Sequence, residues 1–330
     1  MNIKKIYKSI FERKKLWDYY DTGIDVPVLS SSTNCYNFIT DYIEFSEKSN
    51  TLLSKYFDSL KQDSVKRLSH IVSTFFFGLW LFHHKTDKFI RERIINELDG
   101  LSIFNGFDDI NKQFTFVWFM AALFHDLGYP AEETKAGVKL PDNQVPFVNS
   151  IPCFYETVFK DYYNYRNCRE HGIYAGLIFD RDICKIREYQ EYSCSKLNWD
   201  KKFEKLYHYV AWIIMSHNIW MKRDSDPDIL IYRQKNLTPL ILSSEKNSEG
   251  MYKDYKIAFK DYPLFSFFCI IDTIEPMKST TCLSNVDIRL KGNKIIIKTN
   301  DIDYQKKILS LNEWLTPTFK DGESIKIDLG

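Results

Sequence analysis

The chain has 330 residues, 16% of them aromatic, and 45 basic against 44 acidic side chains leave a formal net charge of +1. That length buries a sizeable core without disulfide support, and the balanced charge gives no sign of an extended nucleic-acid surface held by bulk electrostatics while leaving room for a local basic cleft. Seven cysteines without a CxxC pair or regular spacing read as reduced thiols of a cytoplasmic protein, two of them (Cys184 and Cys269) inside apolar helical patterns.

In chain order, residues 1–20 predict an amphipathic helix with charges throughout and no apolar core of signal-peptide length. A turn-rich stretch follows, then a second helical region over about 34–62. From residue 64 the pattern becomes a series of strongly apolar helices, predicted at 65–84, 113–127, 168–181, 203–220 and 262–275. Their apolar runs fall short of the roughly 20 residues that cross a bilayer, so no membrane span is expected. Two proline-containing connections, 128–167 and 221–261, are too long for simple links and read as lids or binding loops. After 280, alternating Ile, Val and Lys around Gly292-Asn293 predict a small hairpin, and ESIKIDLG predicts a final strand. The expected fold is mainly α: a helical bundle with N-terminal helices and a small C-terminal β appendage. Its boundaries are an extension over 1–63, a core over 64–280 and an appendage over 281–330.

Each of the five apolar helices carries a histidine or aspartate where its pattern predicts core: His70, the pair His125-Asp126, His171, His217 and Asp272. A buried carboxylate or imidazole without compensation is disfavoured, and five helices making the same choice points to a shared partner. Imidazole nitrogens and carboxylate oxygens are suitable ligands for a divalent metal ion, which relieves the desolvation of all of them together. Four histidines and two aspartates exceed the needs of one tetrahedral ion, so two ions are expected, without a choice among Mn, Fe, Mg, Co, Ni and Zn. Adjacent residues on a helix point about 100° apart, so His125 and Asp126 need the backbone latitude that Gly128 offers. The remaining histidines fall outside the set. His83 and His84 lie roughly 20 Å along the helix from His70, and His208 is on nearly the opposite helical face from His217.

The order His, His-Asp, His, His, Asp over residues 64–280 resembles the HD-domain metal-dependent phosphohydrolase superfamily. His70, His125-Asp126 and Asp272 match the shared core, and His171 and His217 stand where dinuclear members supply extra ligands. Many dinuclear phosphodiesterases of this superfamily read HDIGK, whereas this chain reads HDLGYP, with Tyr129 in place of the lysine. The histidine-rich continuation of the deoxynucleotide triphosphohydrolases is absent, and His217-Asn218 replaces the paired histidines of some nucleases.

The resemblance implies phosphoester hydrolysis of a nucleotide or short nucleotide signal, with Asp126 as the catalytic residue bridging the ions. His70, His125 and Asp272 would hold the first ion, and His171 and His217 the second. Arg67, Lys135, Arg166 and Arg169 are the expected phosphate-binding cations. The aromatic stretch at 154–167 reads as either a base-stacking loop or a packed lid. The expected partner is a small nucleotide; extended nucleic acid is compatible with the sequence but not favoured, no membrane is expected, and a homo-oligomer is compatible with the sequence. Two alternatives stay open: a non-haem di-iron oxygenase, and a metal-stabilised sensor without turnover.

Overall fold

The computed structural model describes residues 3–13, 65–84, 88–100, 110–132, 163–164, 168–192, 201–218, 257–258, 262–279, 286–291, 294–316 and 326–330. The helices are α1 (Ile3–Phe11), α2 (Val65–Phe82), α3 (Lys88–Gly100), α4 (Ile110–Phe124), α5 (Tyr129–Glu132), α6 (His171–Tyr192), α7 (Lys201–Ser216), α8 (Pro263–Ile274), α9 (Pro276–Ser279) and α10 (Ile302–Trp314). The strands are β1 (Asp287–Lys291), β2 (Lys294–Lys298) and β3 (Lys326–Leu329), with two-residue extended segments at Ile257–Ala258 and Leu315–Thr316. The described residues are therefore mainly helical with a small C-terminal sheet. None of their helices is long and apolar enough to cross a membrane.

The chain forms two compact units. The first comprises Met1–Gly100, Gly106–Leu123 and Ala258–Gly330, and the second comprises Leu101–Asn105 and Phe124–Ile257. Aromatic contacts organise the core of the first. Phe82 stacks on Phe114 with centroids 3.6 Å apart, and Trp118 packs against Phe267 and Phe268 at 5.0 and 5.3 Å. The Trp118 indole N–H donates to the Phe75 carbonyl at 3.0 Å, so its polar edge is satisfied where its rings are buried. Gly78 makes the close approach of α2 and α4 possible, because a Cβ there would lie 2.1 Å from the Trp118 ring.

Every residue of α8 is buried. It begins with Pro263 at its first turn and has no side-chain cap at Tyr262. A carboxylate of α3 takes that role, with Glu97 accepting the Leu264 N–H at 2.7 Å. This satisfies one of the helix's open donors and sets negative charge against the positive end of the dipole. α1 packs on α2 through Ile6, Tyr7 and Ile10, with Phe11 against Phe76 at 5.9 Å. In the sheet β1 pairs antiparallel with β2 across the expected hairpin, and β3 lies parallel to β2 with α10 as the connection. Ile288, Ile295, Ile297 and Ile327 supply its buried face.

In the second unit α6 and α7 pack side by side. Phe179 meets Phe124 and Tyr207 at 4.8 and 6.0 Å, and the buried His208 pairs through Nδ1 with Asp180. His208 is thus a core histidine hydrogen-bonded within its own helix pair. His83 and His84 close α2 against the Phe82 and Trp80 rings. The N-terminal helix is described over Ile3–Phe11, while the second helical region expected at 34–62 lies outside the described residues.

Candidate metal centre

Apolar helices deliver the polar groups of both units. In the second unit α4 ends at Phe124, three residues before the expected limit, and residues 125–128 form a turn. Leaving the helix resolves the difficulty of two neighbours pointing apart: His125 Nε2 lies 3.1 Å from Asp126 Oδ1, and both residues are fully buried. His217, just past the end of α7, turns Nδ1 to the Ile214 carbonyl at 2.6 Å. Nδ1–H therefore donates there, and Nε2 carries the lone pair. One ligand atom from each of His125, Asp126 and His217 lies within 4.8 Å of the others. The His125 and His217 rings stand 5.2 Å apart at 85°.

His171 opens α6 beside this cluster, with Nε2 3.8 Å from Asp126 Oδ1 and its ring 5.2 Å from that of His217. Its Nδ1 contacts Glu132 of α5 at 2.5 Å, and Tyr129 stacks on its face at 3.8 Å. With Nδ1–H donated to Glu132, Nε2 accepts the Asn218 amide N–H at 2.6 Å. Gly128 serves close approach here rather than backbone latitude. A Cβ on it would sit 2.0 Å from the His171 carbonyl oxygen, and its φ lies outside the left-handed region.

In the first unit His70 of α2 lies between two carboxylates of the α8 terminus. Nε2 is 2.9 Å from Asp272 Oδ1, and Nδ1 is 2.6 Å from Glu275 Oε2. A neutral imidazole that donates Nδ1–H to Glu275 turns its Nε2 lone pair on the Asp272 oxygen, which is repulsive unless a proton or a cation lies between them. These donor sets, oxygen and nitrogen atoms buried among apolar side chains, fit divalent ions of the Mn, Fe or Zn type.

Of the predicted site residues, His125, Asp126 and His217 come together in one unit with His171 beside them, and His70 and Asp272 come together in the other. Arg67 is half-buried one turn before His70, and Arg169 is exposed two residues before His171. Lys135 and Arg166, with most of the 128–167 connection, lie outside the described residues. Sequence reasoning missed Glu275, Glu132 and Asn218. Glu275 caps the C-terminus of α8 three residues after Asp272, and a second carboxylate at the end of so apolar a run was available as a signal.

No protein-family model matches the chain, and no curated protein or solved structure is significantly similar to it.

Proposed function

We propose that the chain is an HD-type metal-dependent phosphohydrolase that cleaves a phosphoester of a nucleotide or a short nucleotide signal. The observation that carries this reading is the buried grouping of His125, Asp126 and His217, whose ligand atoms lie within 4.8 Å of one another. The grouping falls on the residues that the resemblance assigns to metal binding. In the proposal two divalent ions are held, with the order of ligands in the sequence naming His70 and Asp272 of the first unit as well as His125, Asp126 and His217 of the second as ligands.

Bound divalent ions supply a water acidic enough to attack at neutral pH and neutralise charge on the phosphoryl oxygens. The protein supplies position. Asp126 orients the attacking water, with His125 Nε2 and His171 Nε2 at 3.1 and 3.8 Å from its Oδ1. Glu132 and the Ile214 carbonyl hold the His171 and His217 rings by their Nδ1 atoms, which turns Nε2 of each inward, that of His171 onto the Asn218 amide. The resemblance assigns Arg67 and Arg169 to phosphate binding, and Tyr129 stands where members with HDIGK carry a lysine.

The test is a panel of nucleoside triphosphates, cyclic nucleotides, cyclic dinucleotides and single-stranded DNA assayed with Mn, Mg, Co and Ni. Metal-dependent hydrolysis that Asp126→Ala abolishes is the expected result. Wild-type turnover in Asp126→Ala overturns the catalytic assignment, and iron content with oxygen-dependent turnover identifies an oxygenase instead.

A further inference from the structure

The helix end that carries Asp272 and Glu275 is gripped from two sides by tyrosines distant in the chain. Glu275 is fully buried, and both of its carboxylate oxygens are engaged. Oε2 accepts from His70 Nδ1 at 2.6 Å, while Oε1 meets the Ser73 hydroxyl, the Met277 N–H at 2.7 Å and the Tyr7 hydroxyl at 3.3 Å. Tyr7 also contacts Ser73 directly. An ionised carboxylate only accepts, so each hydroxyl that reaches it must donate. Ser73 gives its proton to Glu275, and the single Tyr7 proton is shared between Ser73 Oγ and Glu275 Oε1. The direction of the chain is thereby fixed from α1 inward, and its last link is the His70 Nδ1–H. From the other side Tyr304 of α10 donates its hydroxyl to the carbonyl of Ile274, the residue before Glu275. That carbonyl belongs to the last turn of α8, where acceptors lack partners within the helix.

We propose that α1 and α10 are positioning elements for His70. Tyr7 acts through Ser73 and Glu275, and Tyr304 through the Ile274 carbonyl, to fix the orientation and tautomer that leave His70 Nε2 as a ligand atom. The inference rests on the reading of His70 as a metal ligand. Packing alone does not account for the arrangement: phenylalanine would fill the same volume at Tyr7 and Tyr304 without a hydroxyl to desolvate, yet both hydroxyls converge on two adjacent residues. It also gives a role to the two flanking segments, whose described parts belong to the same compact unit as α2 and α8. Carboxylates behind ligand imidazoles orient the ring and set which nitrogen is protonated.

The experiment uses the full chain labelled with ¹⁵N at its seven histidines. In metal-free protein the His70 Nδ1–H resonance reports its bond to Glu275, and Mn²⁺ titration calorimetry reports the consequence. Glu275→Gln is expected to weaken Mn²⁺ binding on the order of 10- to 100-fold and to shift or abolish the resonance. Tyr7→Phe and Ser73→Ala are expected to move the resonance and weaken Mn²⁺ by about 2- to 10-fold each, the worth of one hydrogen bond. Tyr304→Phe, which leaves every Glu275 donor in place, provides a second mild variant with the same direction of change. A resonance and an Mn²⁺ affinity both unchanged in Tyr7→Phe and Tyr304→Phe overturn the proposal, even where thermal stability falls. A resonance that moves while wild-type protein binds no Mn²⁺ upholds the relay but refutes its assignment to metal binding, and with it the metal-dependent reading above.

Discussion

Replacing Gly128 by alanine tests the geometry of the candidate centre without touching a ligand. The added Cβ would sit 2.0 Å from the His171 carbonyl oxygen and 2.7 Å from the His171 carbonyl carbon and Cα, all backbone atoms that cannot swing aside. Ordinary contact begins at 3.4 Å, so the backbones must separate by about 1.4 Å. Overpacking of this kind costs about 1–3 kcal/mol, and rigid backbone on both sides places the cost near the upper end. The reduced freedom of the unfolded chain returns about 0.4–1 kcal/mol, leaving a net loss of about 2 kcal/mol. Displacing His171 by that distance also removes it from the neighbourhood of Asp126, now 3.8 Å away, so Mn²⁺ affinity falls together with stability. Gly100→Ala is the control, since nothing lies within 4 Å of a Cβ there. Urea unfolding and Mn²⁺ calorimetry on both variants complete the assay. A Gly128→Ala protein with the midpoint and affinity of the control refutes the close approach of Gly128 to the start of α6.

Asn218→Ala releases the His171 Nε2 lone pair from its 2.6 Å hydrogen bond, and tighter binding of a second Mn²⁺, by up to about tenfold, is expected in calorimetry. Weaker binding would show that the Asn218 amide itself serves the ion. Burial, followed by the nearby charge of Glu275, pushes the phenols of Tyr7 and Tyr304 well above their ordinary range. A raised folded value means a contribution fully present below the unfolded tyrosine value of about 10 and lost as pH rises from there toward the folded values. Melting temperature should therefore drop more steeply above about pH 10 in wild type than in the Tyr7→Phe/Tyr304→Phe double variant, and equal slopes would refute the burial argument. Chelation of a bound ion removes ligand stabilisation of the folded state, so EDTA is expected to lower the melting temperature of wild type and leave Asp126→Ala nearly unchanged.

The helices that position the candidate ligands were legible because an apolar period of 3.6 survives one polar interruption. α2, α7 and α8 lie within a few residues of expectation, while α6 runs eleven residues past its expected end at 181. α3, KFIRERIINELDG, escaped notice because its charges hide Ile90, Ile94 and Leu98, the residues it buries. α10 was missed for a different reason: its Ile and Leu residues follow two strands and read as more of the same, although buried Tyr304, Ile308 and Leu311 repeat at helical spacing. Among site residues, the buried histidines and aspartates stood out against their apolar neighbours. Glu132 and Asn218 did not, because polar residues beside helix ends are commonplace and their partners are distant in sequence. No local pattern at Tyr7 could reveal a partner 268 residues away.

That separation bears on how the polypeptide matures during synthesis. Ribosomes add roughly 5–20 residues each second, so Tyr7 is added to the chain about 13 to 54 s before Glu275. Throughout that interval the oily face formed by Ile6, Tyr7 and Ile10 lacks the completed surroundings it occupies in the finished protein. Closing so wide a loop sets a contact of very high sequence separation among the last to form, the kind that slows assembly.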